Sequence, residues 1–276
     1  MNIIFGDGPD TGSTLVKSPL IRGVSLTGGN QTAIQIRKDT ANDLHKRLSL
    51  ELRGMSPTLV FADVNIDEAA SVAAFAALEN SGQLCLSGSQ IYVHRSVYKL
   101  FLSKITKLVL NTCRLDKELG PVVSPEQYAK IRSYLVQAEE EHATLEVGQI
   151  PKEVPTDGFW VNPTVLSNES NEIIVGREDI CGPVVTVCPF DREEEVVRLC
   201  NDNPKVMGAV ILTDDLSRQR RVGQQLDAGL VWGGCWLGRE LGAGFTDIRA
   251  TGSGLEGGTH SREFFTRLRA VHLPSY

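Results

Sequence analysis

From residue 23 almost to its end, the chain alternates short strand-like runs with longer segments of helical periodicity. Runs such as VSLTG, PTLVFA and QIYVHR are each followed by a helical pattern, of which NIDEAASVAAFAALEN is an example. Parallel strands cannot be joined by a tight turn and need a crossover, which is usually a helix. This order of elements therefore predicts an α/β fold built on a parallel sheet.

Two further strands are predicted at the ends of the pattern. NIIFG at residues 2–6 precedes the turn GDGPDTG, and FFTRLRAVHLP at 264–274 closes the chain. FWVNPTVL at 159–166 is predicted to be an internal strand. Ser124, followed by Pro125 and Gln127, predicts the start of a helix through a capping box.

Composition excludes several classes of function. The 276 residues are enough for one large or two ordinary domains, and they carry a net charge of −6. Nucleic-acid-binding domains usually carry a basic patch, so this charge argues against such a partner. The chain has no apolar run of 18 residues and no secretory signal at its start. We therefore expect a cytoplasmic protein that acts without a membrane.

One of the six cysteines stands apart from the others. The six are scattered without a CxxC pair, so neither a disulfide framework nor a structural zinc site is expected, and no metal is predicted. Cys85 follows an alanine-rich helix in the turn NSGQLCLSGS, where a substrate could reach a thiol. A cysteine in this place is a candidate nucleophile, and the alternative is an ordinary core thiol.

A carboxylate and two glycine-rich turns are further candidates. In RLSLELRG the strand alternation places Glu51 on the same face as Ser49 and Arg53. Glu51 is then either a solvated neighbour of Arg53 or a general base directed into a cleft. The turns GDGPDTG and LTGGN each follow a strand-like run and open a helix, a context in which backbone amides can hold a phosphate.

Eight segments in order resemble the motifs of the aldehyde dehydrogenase superfamily, and they span essentially the whole chain. They are NIIFGDGPDTG, VSLTGG, LSLELRGMSP, NSGQLCLSGS, FWVNPTVL, EDICGPVVTV, AGLVWGGCW and TGSGLEGG. The resemblance implies an aldehyde dehydrogenase-like α/β fold with a partial dinucleotide-binding sheet and a near-complete catalytic α/β domain. It assigns residues 1–53 to a remnant of the NAD(P)-binding domain, 54–254 to the catalytic thiol domain and 255–276 to an oligomerisation-type strand.

The resemblance also implies a mechanism. Cys85 matches the nucleophile of the family's Gly-Gln-x-Cys turn and would attack the aldehyde carbon. The adduct would give hydride to the nicotinamide and leave a thioester on Cys85. Glu51 matches the glutamate of the LELGG motif, which activates the hydrolytic water, and the Cys85 backbone amide would form part of the oxyanion hole.

Cofactor and substrate contacts follow from the same resemblance. Thr27, Gly28 and Gly29 match the stretch that holds the pyrophosphate of NAD or NADP, and Asp179 matches the acid that holds the nicotinamide ribose. Arg239 matches an arginine that pairs with a substrate carboxylate in a semialdehyde-oxidising subgroup. The alternative for Arg239 is an ordinary surface arginine.

The chain also departs from the family. Members run to nearly twice this length, so the sequence is interpreted as lacking the first cofactor-binding strands. Arg53, Met55 and Cys181 replace a glycine, a lysine and a phenylalanine of the family, and Gly29 stands for the phosphate-binding serine. Phe-Thr-Asp at 245–247 stands where the family has Phe-Gly-Gly. We expect these departures to impair cofactor binding and activity.

Four functional hypotheses remain open at this point. The first is NAD(P)-dependent oxidation of an aldehyde, of the carboxylated semialdehyde type. The second is a non-catalytic homologue that binds full-length family members, with homo- or hetero-oligomers formed through the closing strand. The third is hydrolysis of activated esters without a cofactor, and the fourth is that the sequence is a piece of a longer protein.

Overall fold

A computed structural model describes residues 1–112, 117–151, 155, 158–169 and 174–274. The chain divides into two compact units. Residues 54–238 form what we call the central unit, and residues 1–53 together with 239–276 form the terminal unit. The chain thus divides after residues 53 and 238, whereas the sequence places its boundaries after 53 and 254. The roles assigned to those domains stay predictions.

The described residues form eleven strands and eight helices. The strands are β1 (Gly23–Gly28), β2 (Arg47–Leu52), β3 (Thr58–Val60), β4 (Gln90–His94), β5 (Thr144–Val147), β6 (Thr164–Ser167), β7 (Val184–Phe190), β8 (Gly208–Leu212), β9 (Leu230–Gly233), β10 (Phe245–Thr246) and β11 (Leu255–Glu256). The helices are α1 (Ser13–Lys17), α2 (Asn30–Asp39), α3 (Ile66–Leu78), α4 (Arg95–Thr112), α5 (Pro125–Glu140), α6 (Glu193–Asn201), α7 (Leu216–Gln225) and α8 (Gly258–Phe265). None of these helices, as far as the structure describes them, is long and apolar enough to cross a membrane.

The central unit is built on a seven-stranded sheet in the order β5-β6-β7-β4-β3-β8-β9. Every neighbouring pair is parallel except β5 and β6. All residues of β7 and β8 are buried, as is typical of parallel strands covered by helices on both faces. Helices α6 and α7 pack on one face, around Leu59, Phe190 and Ile211. The predicted parallel α/β sheet is therefore confirmed.

Local capping explains where two helices of this unit begin. The hydroxyl of Ser124 accepts a hydrogen bond from the backbone N–H of Gln127, 3.2 Å away, and Pro125 occupies the first helical position of α5. The side-chain oxygen of Asn65 accepts from the N–H of Asp67 at the start of α3. Each cap satisfies amide groups that a helix start leaves without a partner. The helix start predicted at Ser124 is confirmed.

The terminal unit combines a small parallel sheet with a hairpin from later in the chain. Strands β1 and β2 are parallel, with Thr27 opposite Glu51. Strands β10 and β11 form the antiparallel hairpin. The backbone N–H groups of Ser253 and Gly254 both donate to the carbonyl of Leu50, at 2.8 and 3.0 Å, and so join the hairpin segment to β2. Gly252 is required in this connection because its φ is +133° and a Cβ would lie 2.0 Å from the Leu50 carbonyl oxygen.

Two predicted strands do not form. Residues 1–7 have no regular structure, and the predicted strand at 2–6 leaves Ile3, Ile4 and Phe5 exposed. Residues 267–274 are also irregular, so the predicted strand at 264–274 is wrong as well. A strand persists when a neighbouring strand pairs with its backbone N–H and C=O groups. No strand among the described residues pairs with either segment.

The start of the second segment belongs instead to α8, which ends at Phe265. The guanidinium of Arg47 donates to the carbonyl oxygens of Glu263 and Thr266, at 2.7 and 3.1 Å. It also lies over the ring of Phe264, 5.5 Å from the centroid. A cation that binds the last carbonyls stabilises a helix end, so this contact favours helix over strand.

The internal strand predicted at 159–166 is shorter than expected. Strand β6 begins at Thr164, directly after Pro163. Proline has no N–H to donate to a neighbouring strand, which explains why pairing starts after it.

Candidate active site

The central unit presents Cys85 in a tight turn directly after α3. Asn80, Ser81 and Gly82 have positive φ values of 52°, 55° and 68°, and these reverse the chain at the helix end. The N–H of Ser87 then donates to the carbonyl of Leu84, 3.0 Å away, which closes a turn around Cys85. The Cys85 thiol is half-buried. The predicted nucleophile is therefore near the surface of its unit and outside the sheet.

Hydrogen bonds on both sides of Cys85 hold this turn in place. They are Ser81 Oγ to the Gly120 carbonyl (2.8 Å), the Val123 N–H to Gln83 Oε1 (2.8 Å), Trp236 Nε1 to the Leu86 carbonyl (3.0 Å) and Ser87 Oγ to the Ala77 carbonyl (3.1 Å). Their partners lie in three separate segments of the chain, at 77, 120–123 and 236, so the turn is anchored from several sides. A reactive group held in this way needs little ordering before it meets a substrate.

The same turn packs against the segment that carries Asp179. A Cβ on Gly82 would lie 2.1 Å from the carbonyl oxygen of Gly182, which shows how closely the two backbones approach. The side chain of Gln127 donates to the carbonyl of Cys181 at 2.8 Å and so fixes the segment against α5. The central unit thus brings together the segments of Cys85 and Asp179, which the sequence assigns to one site.

The other cysteines differ from Cys85 in their surroundings. Cys188 and Cys200 are buried in the core beneath α6 and α7, where burial raises the pKa of Cys188 to about 12 and raises the pKa of Cys200 as well. Thiols in such surroundings are poor nucleophiles. Cys235 is exposed and Cys181 is half-buried. Cys113 lies outside the described residues.

The terminal unit collects the residues predicted to hold the cofactor phosphates. Thr27 is the last exposed residue of β1, and Gly28 and Gly29 lead from β1 into α2. Gly29 is the N-cap of α2, and a Cβ placed on it would meet no atom within 4 Å. The N-cap of α2 therefore borders open space at the positive end of the helix dipole. These residues fit a phosphate group.

Glu51 lies on β2 beside two carboxylates that the sequence analysis missed. Asp247 follows β10, and Glu256 lies on β11, where its carboxylate accepts a hydrogen bond from Ser25 at 3.3 Å. A Cβ on Gly254 would lie 2.6 Å from Glu51 Cγ and 2.5 Å from Asp247 Oδ2, so both side chains pack against this glycine. In the part of the chain that the structure describes, no group of three or more His, Cys, Asp or Glu side chains could hold a metal ion.

The position of Asp247 held a sequence signal that was not used. The Phe-Thr-Asp segment at 245–247 replaces two family glycines, which indicates a new side chain in a close-packed place. For Glu256 the signal was the TGSGLEGG motif itself, which was used only to recognise the family.

Burial and mutual repulsion change the ionisation of these carboxylates. Burial, followed by the charge of Glu256, raises the pKa of Glu51 to about 7, while the positive charge of Arg239 acts in the opposite direction. Burial, followed again by Glu256, raises the pKa of Asp247 to about 7. A carboxylate that titrates near neutral pH can both accept and release a proton under physiological conditions, as general acid–base catalysis requires.

Arg239 lies in the same unit and is exposed. Its guanidinium lies over the ring of Phe245, 5.2 Å from the centroid, and its charge favours the ionised form of Glu51. The structure therefore places a cation near enough to Glu51 to act on its ionisation and leaves it accessible to a ligand.

The raised pKa values predict that the terminal unit loses stability as the pH rises. Below about pH 4 both carboxyl groups are protonated in the folded and unfolded states. Between that pH and 7 the folded state keeps protons that the unfolded chain has released, so the free energy of unfolding falls until both groups are ionised. We expect Glu51→Gln to become more stable relative to the parent protein between pH 5 and 8, as measured by urea unfolding.

The exposed Glu263 of the same unit provides the matched control. The stability difference caused by Glu263→Gln should not change over this range. The prediction would be contradicted if the free energy of unfolding of Glu51→Gln differed from that of the parent protein by the same amount at pH 5 and pH 8.

Comparison with known proteins identifies the family. A model described as the aldehyde dehydrogenase family matches residues 1–271. The chain belongs to the aldehyde dehydrogenase family. The family predicted from the eight motifs is thereby confirmed.

Relatives of this aldehyde dehydrogenase homologue include two semialdehyde dehydrogenases. The 2-aminomuconic semialdehyde dehydrogenase of Danio rerio is 35% identical over 285 residues, which cover 98% of the chain and 58% of the relative. The 2-hydroxymuconic semialdehyde dehydrogenase of a Pseudomonas species is 35% identical over a region that covers 98% of the chain and 57% of the relative. The chain spans just over half the length of these relatives.

Solved structures of the family match the fold as well. The HpcC structure from Thermus thermophilus matches with a TM-score of 0.88 at 30% identity. The match covers 98% of this chain and 56% of the HpcC chain. An NAD+ complex of the Bacillus cereus aldehyde dehydrogenase matches with a TM-score of 0.88 at 31% identity. This match covers 95% of this chain and 54% of the Bacillus cereus chain. The predicted partial aldehyde dehydrogenase fold is confirmed.

Proposed function

We propose that this aldehyde dehydrogenase homologue oxidises an aldehyde to the corresponding acid through a thioester on Cys85. The observation that carries the proposal is the anchored turn that presents the half-buried Cys85 thiol within a Gly-Gln-x-Cys segment. A thiol becomes an effective nucleophile when it can be reached and is held in a defined position.

The chain's own residues supply two parts of the reaction. The Cys85 sulfur forms a bond to the aldehyde carbon, and its backbone N–H would donate a hydrogen bond to the resulting oxyanion. Glu51 accepts a proton from the water that hydrolyses the thioester, and its pKa of about 7 suits that role. The nicotinamide cofactor, when bound, supplies the hydride acceptor.

Five residues are proposed to bind the cofactor and the substrate. Thr27, Gly28 and Gly29 would hold the pyrophosphate at the open end of α2, and Asp179 would bind the nicotinamide ribose. The exposed guanidinium of Arg239 would pair with a substrate carboxylate, for which its planar, bidentate fork is suited. The names of the two semialdehyde dehydrogenase relatives support a carboxylated semialdehyde as the substrate class.

NAD binding tests this proposal most directly. Calorimetric titration of NAD and NADP into the purified chain should give saturable binding in the micromolar range, and Cys85→Ser should bind equally well because serine preserves the fold. Absence of binding by a folded chain would contradict the dehydrogenase function for this chain. An aldehyde screen with NADH absorbance would follow a positive result.

A second candidate function is docking onto longer family members without catalysis. Leu268, Val271 and Leu273 are exposed in the irregular segment at 267–274, where apolar side chains would gain from burial. Light scattering of the chain alone, and of its mixture with a full-length relative, distinguishes homo- and hetero-oligomers from a monomer. The cytoplasmic location inferred from the sequence stays a prediction.

A further inference from the structure

Asp247 is a buried acid whose contacts do not offset its burial, although the Gly254 backbone and the Thr251 hydroxyl favour its ionised form. Its side chain is 6% exposed, and among the described residues neither carboxylate oxygen has a hydrogen-bond partner of ordinary geometry. Glu51 is 8% exposed, and among the described residues its Oε1 likewise has no hydrogen-bond partner of ordinary geometry. An ionised carboxylate that is buried without a partner loses its hydration and gains nothing in return. Two such groups in one place need a neutralising charge or a proton.

The two acids are close neighbours, held by backbone contacts within the terminal unit. A Cβ on Gly254 would lie 2.5 Å from Asp247 Oδ2 and 3.3 Å from Glu51 Oε1. These two oxygens are therefore within the roughly 6 Å over which like charges suppress each other's ionisation. The N–H of Asp247 donates to the Gly254 carbonyl, and the N–H of Gly254 donates to the Leu50 carbonyl, both at 3.0 Å. The backbone that carries Asp247 is thus linked to the strand that carries Glu51.

The other charged groups do not neutralise the pair. Glu256 on β11 acts on both Glu51 and Asp247 and adds a third negative charge. Arg239, which precedes β10, contributes a single positive charge, and its guanidinium is exposed over Phe245. Among the groups that act most strongly on Glu51, full ionisation would thus place three negative charges against one positive charge. A proton retained within the cluster is the simplest way to reduce this excess of negative charge.

We propose that Asp247 is a positioning residue whose negative charge, added to that of Glu256, sets the pH at which Glu51 can act as a base. The inference rests on the proposed role of Glu51 in hydrolysis. The negative charge of Asp247 makes Glu51 harder to ionise. The resembling family motif, Phe-Gly-Gly, has a glycine at this position and therefore no carboxylate. Thioester hydrolysis here is expected to need a more alkaline pH than Glu51 alone would require.

Carbon-13 NMR titration of the Glu51 carboxyl tests the proposal without requiring turnover. The chain is labelled at glutamate Cδ, and the Glu51 signal is assigned by its loss in Glu51→Gln. We expect a titration midpoint near 7 in the parent protein. In Asp247→Asn and Asp247→Ser the midpoint should fall but stay above the ordinary value of about 4.3, because one neighbouring negative charge is removed while burial and Glu256 remain. Asp10→Asn, an exposed aspartate of the same unit, should leave the midpoint unchanged.

Two results would overturn the proposal. One is a Glu51 midpoint near the ordinary value of about 4.3 in the parent protein, which needs no variant to observe. The other is an unchanged midpoint in either Asp247 variant that folds, judged by circular dichroism. The titration reports the effect of Asp247 on Glu51 even if NAD does not bind, so failure of the proposed function is distinguishable from failure of this inference.

Discussion

Replacing Cys85 with serine is expected to abolish formation of a covalent acyl adduct, with a loss on the order of 10⁴-fold or more in rate. A serine hydroxyl ionises far less readily than a thiol and needs an adjacent base to act as a nucleophile. Incubation with an activated ester such as p-nitrophenyl acetate, followed by mass spectrometry of tryptic peptides, measures the adduct on the peptide that carries position 85.

Cys235→Ser is the matched control for this experiment. Cys235 is an exposed thiol of the same unit, and its loss should leave the adduct at position 85 unchanged. An adduct that persists in Cys85→Ser and disappears in Cys235→Ser would mean that the wrong thiol has been assigned as the nucleophile.

Gly82→Ala is expected to destabilise the central unit by about 3 kcal/mol or more. An alanine at a φ of +68° is strained, and its Cβ would lie 2.1 Å from the Gly182 carbonyl oxygen and 3.1 Å from that of Ala77. Both obstacles are backbone atoms, so relief requires the turn to move away from the segment at 179–182. A loss of this size is a large part of the stability of an ordinary domain. Urea unfolding, followed by tryptophan fluorescence, measures it.

Gly120→Ala provides the comparison for Gly82→Ala. A Cβ on Gly120 would meet no atom within 4 Å. The Gly120 carbonyl accepts a hydrogen bond from the Ser81 hydroxyl and so contacts the same turn. Its stability should stay within about 0.5 kcal/mol of the parent protein. Equal stability of the two variants would show that the Gly82 backbone can relax at little cost. The adduct assay on Gly82→Ala would then show whether Cys85 keeps its reactivity.

The parallel sheet could be predicted because its evidence is repeated along the chain. Each strand of the central sheet is a short apolar run, and helices join most of them, so local patterns suffice to indicate the class. The start of α5 at Ser124 is equally local, since a cap acts within one helical turn. The two strands at 2–6 and 264–274 were wrong because strand formation depends on a neighbour, which no local pattern can supply.

The candidate site could be predicted in part for the same reason. The turn around Cys85 is encoded in consecutive residues, and strand alternation places Glu51 and Ser49 on one face of β2. Asp247 and Glu256 were missed because they reach Glu51 through a hairpin that lies far away in the chain. Their approach depends on packing around Gly252 and Gly254, and a glycine in a loop does not show which side chains it will bring together.

The sequence by itself determined the α/β class, the family and the identity of the thiol and carboxylate proposed to do the chemistry. These depend on residue order and on neighbours within a few positions. The tertiary structure alone decided that Glu51 shares a buried environment with two other acids and that its pKa lies near 7. The physical reason is that desolvation and charge repulsion depend on distances in space, which separate elements set only when they pack together.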